Sequence, residues 1–223
     1  MAGPDSISEF SASHLGHRPV PTDLRVLLQL PWPAAPVLSG LSMLRGNLPP
    51  TLIAEECSGR NDLSGSERVA HALAMKDMLG YSGFVAEGSR GEALAYWFGP
   101  SQYAIDVAPL IMFCPKGSFS VLPGHGIAEA LLALAAHGDD QLFGTLREKL
   151  SRYGIDVLPD SLAAIRVPQC SPTPQSVYEQ SLATYRADLL AARPPQSGQP
   201  VEIEAIDRGP RLSSSDEGQL REK

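Results

Sequence analysis

Residues 91–124, GEALAYWFGPSQYAIDVAPLIMFCPKGSFSVLPG, constrain the fold more than any other part of the chain. They are the most apolar stretch and are broken only by turn residues, the pattern of consecutive β-strands. Segments 82–87 and 92–98 flank GSRG, whose residues tolerate positive φ, so the pair reads as a hairpin. Within it Leu94, Tyr96 and Phe98 share one face, with Ala93, Ala95 and Trp97 on the other. Segments 108–114 and 118–122 flank Pro115-Lys116-Gly117, where proline presets a turn, and form a second hairpin. Because residues 108–114 are apolar at nearly every position instead of alternating, that strand is expected to be central and covered on both faces.

Helices are expected on either side of these strands. Near the start, Ile7, Phe10 and His14/Leu15 recur at helical spacing, with Asp5 or Ser6 as N-cap and Gly16 as the stop. After a proline elbow, Thr22 caps a second helix striped by Leu24, Leu27 and Leu28 and ended by Pro31. Dense Pro and Gly over 32–52 predict a long irregular connection with a short strand near 37–44. Ser64 and Glu67 form a capping box for a helix whose expected buried stripe is Val69, Ala72, Leu73, Met75 and Leu79. Beyond the strands, residues 126–138 predict a strongly apolar helix. A further helix is capped by Asp139 or Asp140, striped by Leu142, Phe143, Leu146 and Leu150, and closed by a Schellman turn at Gly154-Ile155. A short helix before Pro168 and a longer one presenting Val177, Leu182, Tyr185 and Leu189 complete the pattern.

The expected class is therefore α+β: an antiparallel sheet of about four to six strands flanked by helices, with additional C-terminal helices. Residues 1–193 form one domain, a core of about 5–137 with a helical extension of about 138–193, and the polar segment 194–223 reads as linker and disordered tail. Hydrophobic content of 43% with 19% charged residues is globular. No stretch reaches the roughly 18 apolar residues of a membrane span, and the start carries no secretory signal, so membrane association is not expected and the reading is cytoplasmic. A formal charge of −7 disfavours nucleic acid and favours a basic partner. Cys57, Cys114 and Cys170 are odd in number and lack metal-ligand spacing, which suggests neither a disulfide framework nor a zinc site.

Catalytic motifs are absent. GYSG and GSRG each miss the nucleophile-elbow pattern by a position and read as turns. Cys114, His125 and Asp106 are the one conceivable thiol–imidazole–carboxylate set, set against the simpler reading of a strand cysteine and a helix-start histidine. His14 and His17 straddle Gly16, a poor arrangement for a shared metal. No cofactor is expected.

The opening ISEFSASHLGHRPVPTDLRVLLQL resembles the start of the SMI1/KNR4 (SUKH) superfamily: a helix ending in glycine, a proline elbow, and a second helix of the form P-x-D-L/Y-R-x-L/F-L. SGFVAEGSRGEALAYWFG resembles its strand pair, and APLIMFCPKGSFSVLPGHGIAEALLALAA its later strands leading into a helix. The resemblance covers roughly residues 5–137 and implies a domain that performs no reaction. Bacterial members are often immunity proteins that bind a toxin domain from contact-dependent or type VI systems and block it in the producing cell. It thus implies a cognate protein toxin, possibly basic, as partner. Glu87, Arg90 and Glu92 at the first hairpin turn, with Tyr103 and Asp106, are the candidate contacts, since charged and aromatic loop residues make interface anchors. The alternatives are a scaffold or regulatory interaction module of the same fold and, behind it, a small thiol-dependent hydrolase.

Overall fold

The computed structural model describes residues 4–30, 41–43, 63, 65–88, 91–114 and 116–191. By internal contacts the chain divides into two units, Met1–Leu189 and Leu190–Lys223, and the architecture below is that of the first. The elements in order are α1 (Pro4–His14), α2 (Thr22–Gln29), β1 (Leu41–Met43), α3 (Gly65–Gly80), β2 (Ser82–Gly88), β3 (Ala93–Trp97), β4 (Leu110–Cys114), β5 (Ser118–Val121), α4 (Ile127–Ala136), α5 (Asp140–Ser151), a 3-10 turn (Leu162–Ala164) and α6 (Pro174–Ala191). The five strands form one antiparallel sheet in sequence order, β1-β2-β3-β4-β5, so the α+β class holds.

Both hairpins form where the turn residues predict. Ser82 pairs with Trp97 and Glu87 with Ala93, with one irregularity between Phe84 and Ala86 that leaves Val85 as the extra residue of a bulge. Cys114 pairs with Ser118 across the second turn, where Gly117 takes a φ of +89°. The fully buried middle strand is β3. The expectation of full cover for β4 is corrected, because it neighbours the edge strand β5 and is only half-covered at Met112 and Cys114.

The registers sort the side chains onto two faces. Tyr96 stands beside Gly83 and Leu110; Ala95 stands beside Phe84 and Ile111, and Ala93 beside Phe113. The Tyr96 face carries α1, α2 and α4. At Gly83 a Cβ would meet the Phe98 ring at 2.7 Å and the His14 carbonyl at 3.1 Å, so a glycine there lets α1 settle onto the sheet. α4 buries Ile127, Leu131 and Leu132 here, and α5 packs on α4 through Phe143, Leu146 and Leu150. The predicted close of α5 is present in full. Gly154 has a φ of +79°, its N–H donates to the Ser151 carbonyl, and the Ile155 N–H donates to that of Leu150.

The opposite face is aromatic. Phe84, Phe113 and Phe119 contact edge to face at 5.4 and 5.0 Å, and Phe119 meets Tyr178 of α6 at 5.3 Å. The small Ala93 and Ala95 on β3 leave room for rings from β2 and β4 to touch across it.

Three helix details correct the sequence reading. α1 already includes Asp5 and Ser6, so neither is its N-cap. At α2 the N-cap position is Pro21, whose fixed φ of −55° and carbonyl, accepting from Arg25 N–H, start the helix without a Thr22 cap. On α3 the buried stripe is Ala70, His71, Ala74, Met75 and Met78, while Val69 is exposed; two alanines allow close approach, and His71 has a buried partner on α6. Leu142 likewise faces outward on α5. Ser64, Cys57, most of the connection after Pro31 and the tail 194–223 lie outside the described residues.

Candidate functional site

The meander topology divides the four predicted contact residues that are described between opposite ends of the sheet. Glu87 and Glu92 lie at the end that carries both hairpin turns, whereas Tyr103 and Asp106 lie on the loop joining β3 to β4 at the other. A five-residue strand separates the two groups by about 15 Å. Arg90 lies outside the described residues. Glu87 belongs to β2, opposite Ser42 and Ala93, and its Oε2 is buried with no hydrogen-bond partner among the described residues. Glu92 is half-buried, and its carbonyl accepts from Gly88 N–H at 2.6 Å.

The β3–β4 loop is held at many points. The Tyr103 N–H donates to the Phe98 carbonyl at 2.7 Å, and its Oη donates to the Ser171 carbonyl at 2.7 Å. Arg18 lies over the Phe98 ring, 3.7 Å from its centre, and donates to Gln102 Oε1 at 2.6 Å. The Val107 and Ala108 N–H groups both donate to the Ala104 carbonyl, closing a helical turn whose Ile105 and Ala108 side chains are buried. The tip of that turn holds Asp106, exposed, and Val107, 65% exposed. A charged and an apolar side chain therefore project from a backbone fixed on both flanks. Beneath the loop, the Trp97 indole N–H is fully buried with no partner among the described residues. Gly99, with a φ of +62°, crosses it so closely that a Cβ would sit 3.2 Å from Nε1.

The polar side chains sequence reasoning missed are structural joints. His71 Nδ1 and Tyr178 Oη are 2.7 Å apart and buried, linking α3 to α6. The same two helices are joined by Tyr185 Oη donating to Asp77 at 3.1 Å, which raises the phenol's pKa, and by the exposed Arg186–Glu67 pair at 2.6 Å. Asp23 Oδ2 accepts from Ala128 N–H at 3.2 Å and so ties α2 to the start of α4. Tyr96 Oη, buried near that carboxylate, has no hydrogen-bond partner among the described residues; burial, then Asp23, pushes its pKa above the usual tyrosine value. Partners more than a hundred residues apart leave no local pattern to find.

For the conceivable thiol set, Cys114 is half-buried at the end of β4, Asp106 is exposed, and His125 is exposed with its backbone N–H donating to Glu129. No hydrogen bond joins the three among the described residues. Among those residues there is also no group of three His, Cys, Asp or Glu placed to hold a metal, and no helix long and apolar enough to cross a membrane. No protein-family model matches the chain, and no curated protein or solved structure matches it.

Proposed function

We propose that this chain is a non-enzymatic binding protein of the toxin-immunity type, capturing a cognate, possibly basic, bacterial toxin inside the cell that makes it. The observation that carries the reading is the braced β3–β4 loop, which offers Asp106 and Val107 from a fixed backbone. A loop already held in place loses little freedom on docking, so more of the contact energy appears as affinity. An exposed carboxylate beside an exposed apolar side chain suits a basic, partly apolar partner surface, and the formal charge of −7 favours its capture. The resemblance of residues 5–137 to the SUKH superfamily agrees with this.

The test begins with the tagged chain purified from its native cells and identification of whatever elutes at one-to-one stoichiometry. Co-expression should let sensitive cells survive the partner, and the double variant Asp106→Lys, Val107→Asp should abolish that rescue with an unchanged melting temperature. A stoichiometric partner that is harmless to cells would defeat the toxin reading. Undiminished rescue by the double variant would remove this loop from the interface.

A further inference from the structure

α5 buries one stripe against α4, and along another it is walled by the chain that follows it. After the Gly154 turn, residues 155–162 run back beside the helix. They are pinned there by Arg147 Nε–H, which donates to the Val157 carbonyl at 2.9 Å, and by Leu162 N–H, which donates to Asp140 Oδ1 at 2.9 Å. Between the helix and the returning chain lies a cleft of about 520 Å3, with Gly144, Arg147, Glu148 and Ser151 on its helical wall and residues 156–158 on the other. Spaced at i, i+3, i+4 and i+7, the four helical residues form one straight stripe.

The chain itself leaves three features of this cleft unused. Gly144 stands inside the helix, where glycine costs helix stability, yet a Cβ there would meet nothing within 4 Å, so no packing among the described residues requires it. Arg147 makes one side-chain hydrogen bond, through Nε; its two NH2 groups and the Glu148 carboxylate have no partner among the described residues. Leu158, on the far wall, is 88% exposed.

The order of residues along the stripe identifies what fits. Its centre falls between Arg147 and Glu148, with Gly144 three positions before the one and Ser151 three after the other. An identical stripe laid antiparallel across a two-fold axis at that centre therefore sets Arg147 against Glu148 of the second copy, twice, and Gly144 against Ser151, twice. Opposite charges meet in the middle, and at each end two small side chains let the helices come to about 8 Å, the close limit of helix packing. A cleft of one charge sign would call for a foreign partner of the other; this one carries its own counter-charges, in the order a two-fold needs. We infer that the cleft is the contact of a weak symmetric dimer, in which α5 of a second copy of this chain lies antiparallel along Gly144 to Ser151, with Arg147 and Glu148 paired reciprocally and Leu158 of each copy covered at the flank. One short helix per copy is at the low end of specific interfaces, so the dimer forms at about 0.1–1 mM. The inference does not depend on the toxin-immunity reading.

The test is sedimentation velocity of the full chain from about 10 μM to about 1 mM, a range that brackets such a weak contact. The chain should move from its monomer mass of 23.8 kDa toward twice that value at the upper end. Arg147→Glu and Glu148→Arg each place like charges across the axis, and each alone should stay monomeric throughout. Their equimolar mixture should associate again, because every like-charged stripe then meets its opposite, an outcome that only pairing of this stripe with itself produces. Gly144→Gln fills the space between the helices while meeting nothing in its own chain, so it should keep the thermal melt intact and weaken association at least tenfold. Should Arg147→Glu, which also loses the Val157 bond, fail to fold, Glu148→Arg and Gly144→Gln decide the matter. A chain that is monomeric at the highest concentration, variants that associate like the parent, or a mixture of two folded variants that stays monomeric would each overturn the inference.

Discussion

The two faces of the sheet are covered by different physics. On the Tyr96 face α1, α2 and α4 bury mainly aliphatic side chains, and a single directional tie, from Asp23 to the Ala128 N–H, accompanies that burial at α4. On the Phe113 face, rings from β2, β4 and β5 run in series to Tyr178, and α6 is fixed by directional partners on α3 at His71, Asp77 and Glu67. A face held by non-directional burial tolerates repacking. One held by ring geometry and hydrogen bonds specifies where its helix must sit, and is correspondingly less forgiving.

The widest gap between the faces should appear in paired core truncations. Phe113→Ala removes two ring contacts and is expected to cost about 3–5 kcal/mol, whereas Leu131→Ala under α4 should cost about 2–3 kcal/mol. Urea unfolding of both variants measures this, and equal losses would break the distinction. Next comes Gly117→Ala, where φ is +89° and the new Cβ would stand 2.5 Å from Tyr178 Oη; a loss of about 2 kcal/mol or more is expected on the aromatic face. A melting temperature unchanged in that variant would mean α6 is not pressed against the second turn.

The third contrast sharpens the aliphatic face. Its Tyr96 hydroxyl is buried with no partner among the described residues, so Tyr96→Phe should be neutral or stabilising by about 1 kcal/mol at neutral pH. Because the folded phenol titrates above its unfolded value, its contribution is intact below about pH 10 and declines above it, by about 1.4 kcal/mol per pH unit. Thermal melts between pH 9 and 11 should therefore fall less steeply for the phenylalanine variant, and parallel curves would contradict the burial of that hydroxyl. Smallest of all, Glu67→Gln breaks an ion pair whose side chains are 48% and 38% exposed, and should shift stability by no more than about 0.5 kcal/mol in chemical denaturation.

The same contrast explains what was legible in the sequence. Hairpins at 88–92 and 115–117, the Gly154-Ile155 helix close and the apolar α4 are local patterns, set by neighbours within a few residues, and they lie where expected. The face of α3 was not legible, because Val69 and Leu73 fit the helical period as well as Ala70 and Ala74; a tertiary partner for His71 decides between them. Tyr178 carries no local signal that sets it apart from Leu182 and Tyr185, for the same reason. Of the site, Tyr103 and Asp106 share the braced loop, while Glu87, the last residue of the expected strand 82–87, lies within β2, which runs on to Gly88, and has a buried oxygen. Residues 166–175 lie beside β5 through hydrogen bonds from Phe119 N–H to Gln175 and from Gly124 N–H to Arg166, and no periodicity announces them.

The place of Tyr178 in the chain also sets an order of events at birth. Phe119 can fold against Phe113 as soon as β5 leaves the ribosome, but the ring that covers it is 57 residues further on from Val121 (178 − 121). At synthesis rates of about 5–20 residues per second, that interval lasts roughly 3–11 s. For that time the nascent domain presents a ready-made aromatic surface to its surroundings, the kind of target that holding chaperones recognise, and only completion of α6 withdraws it.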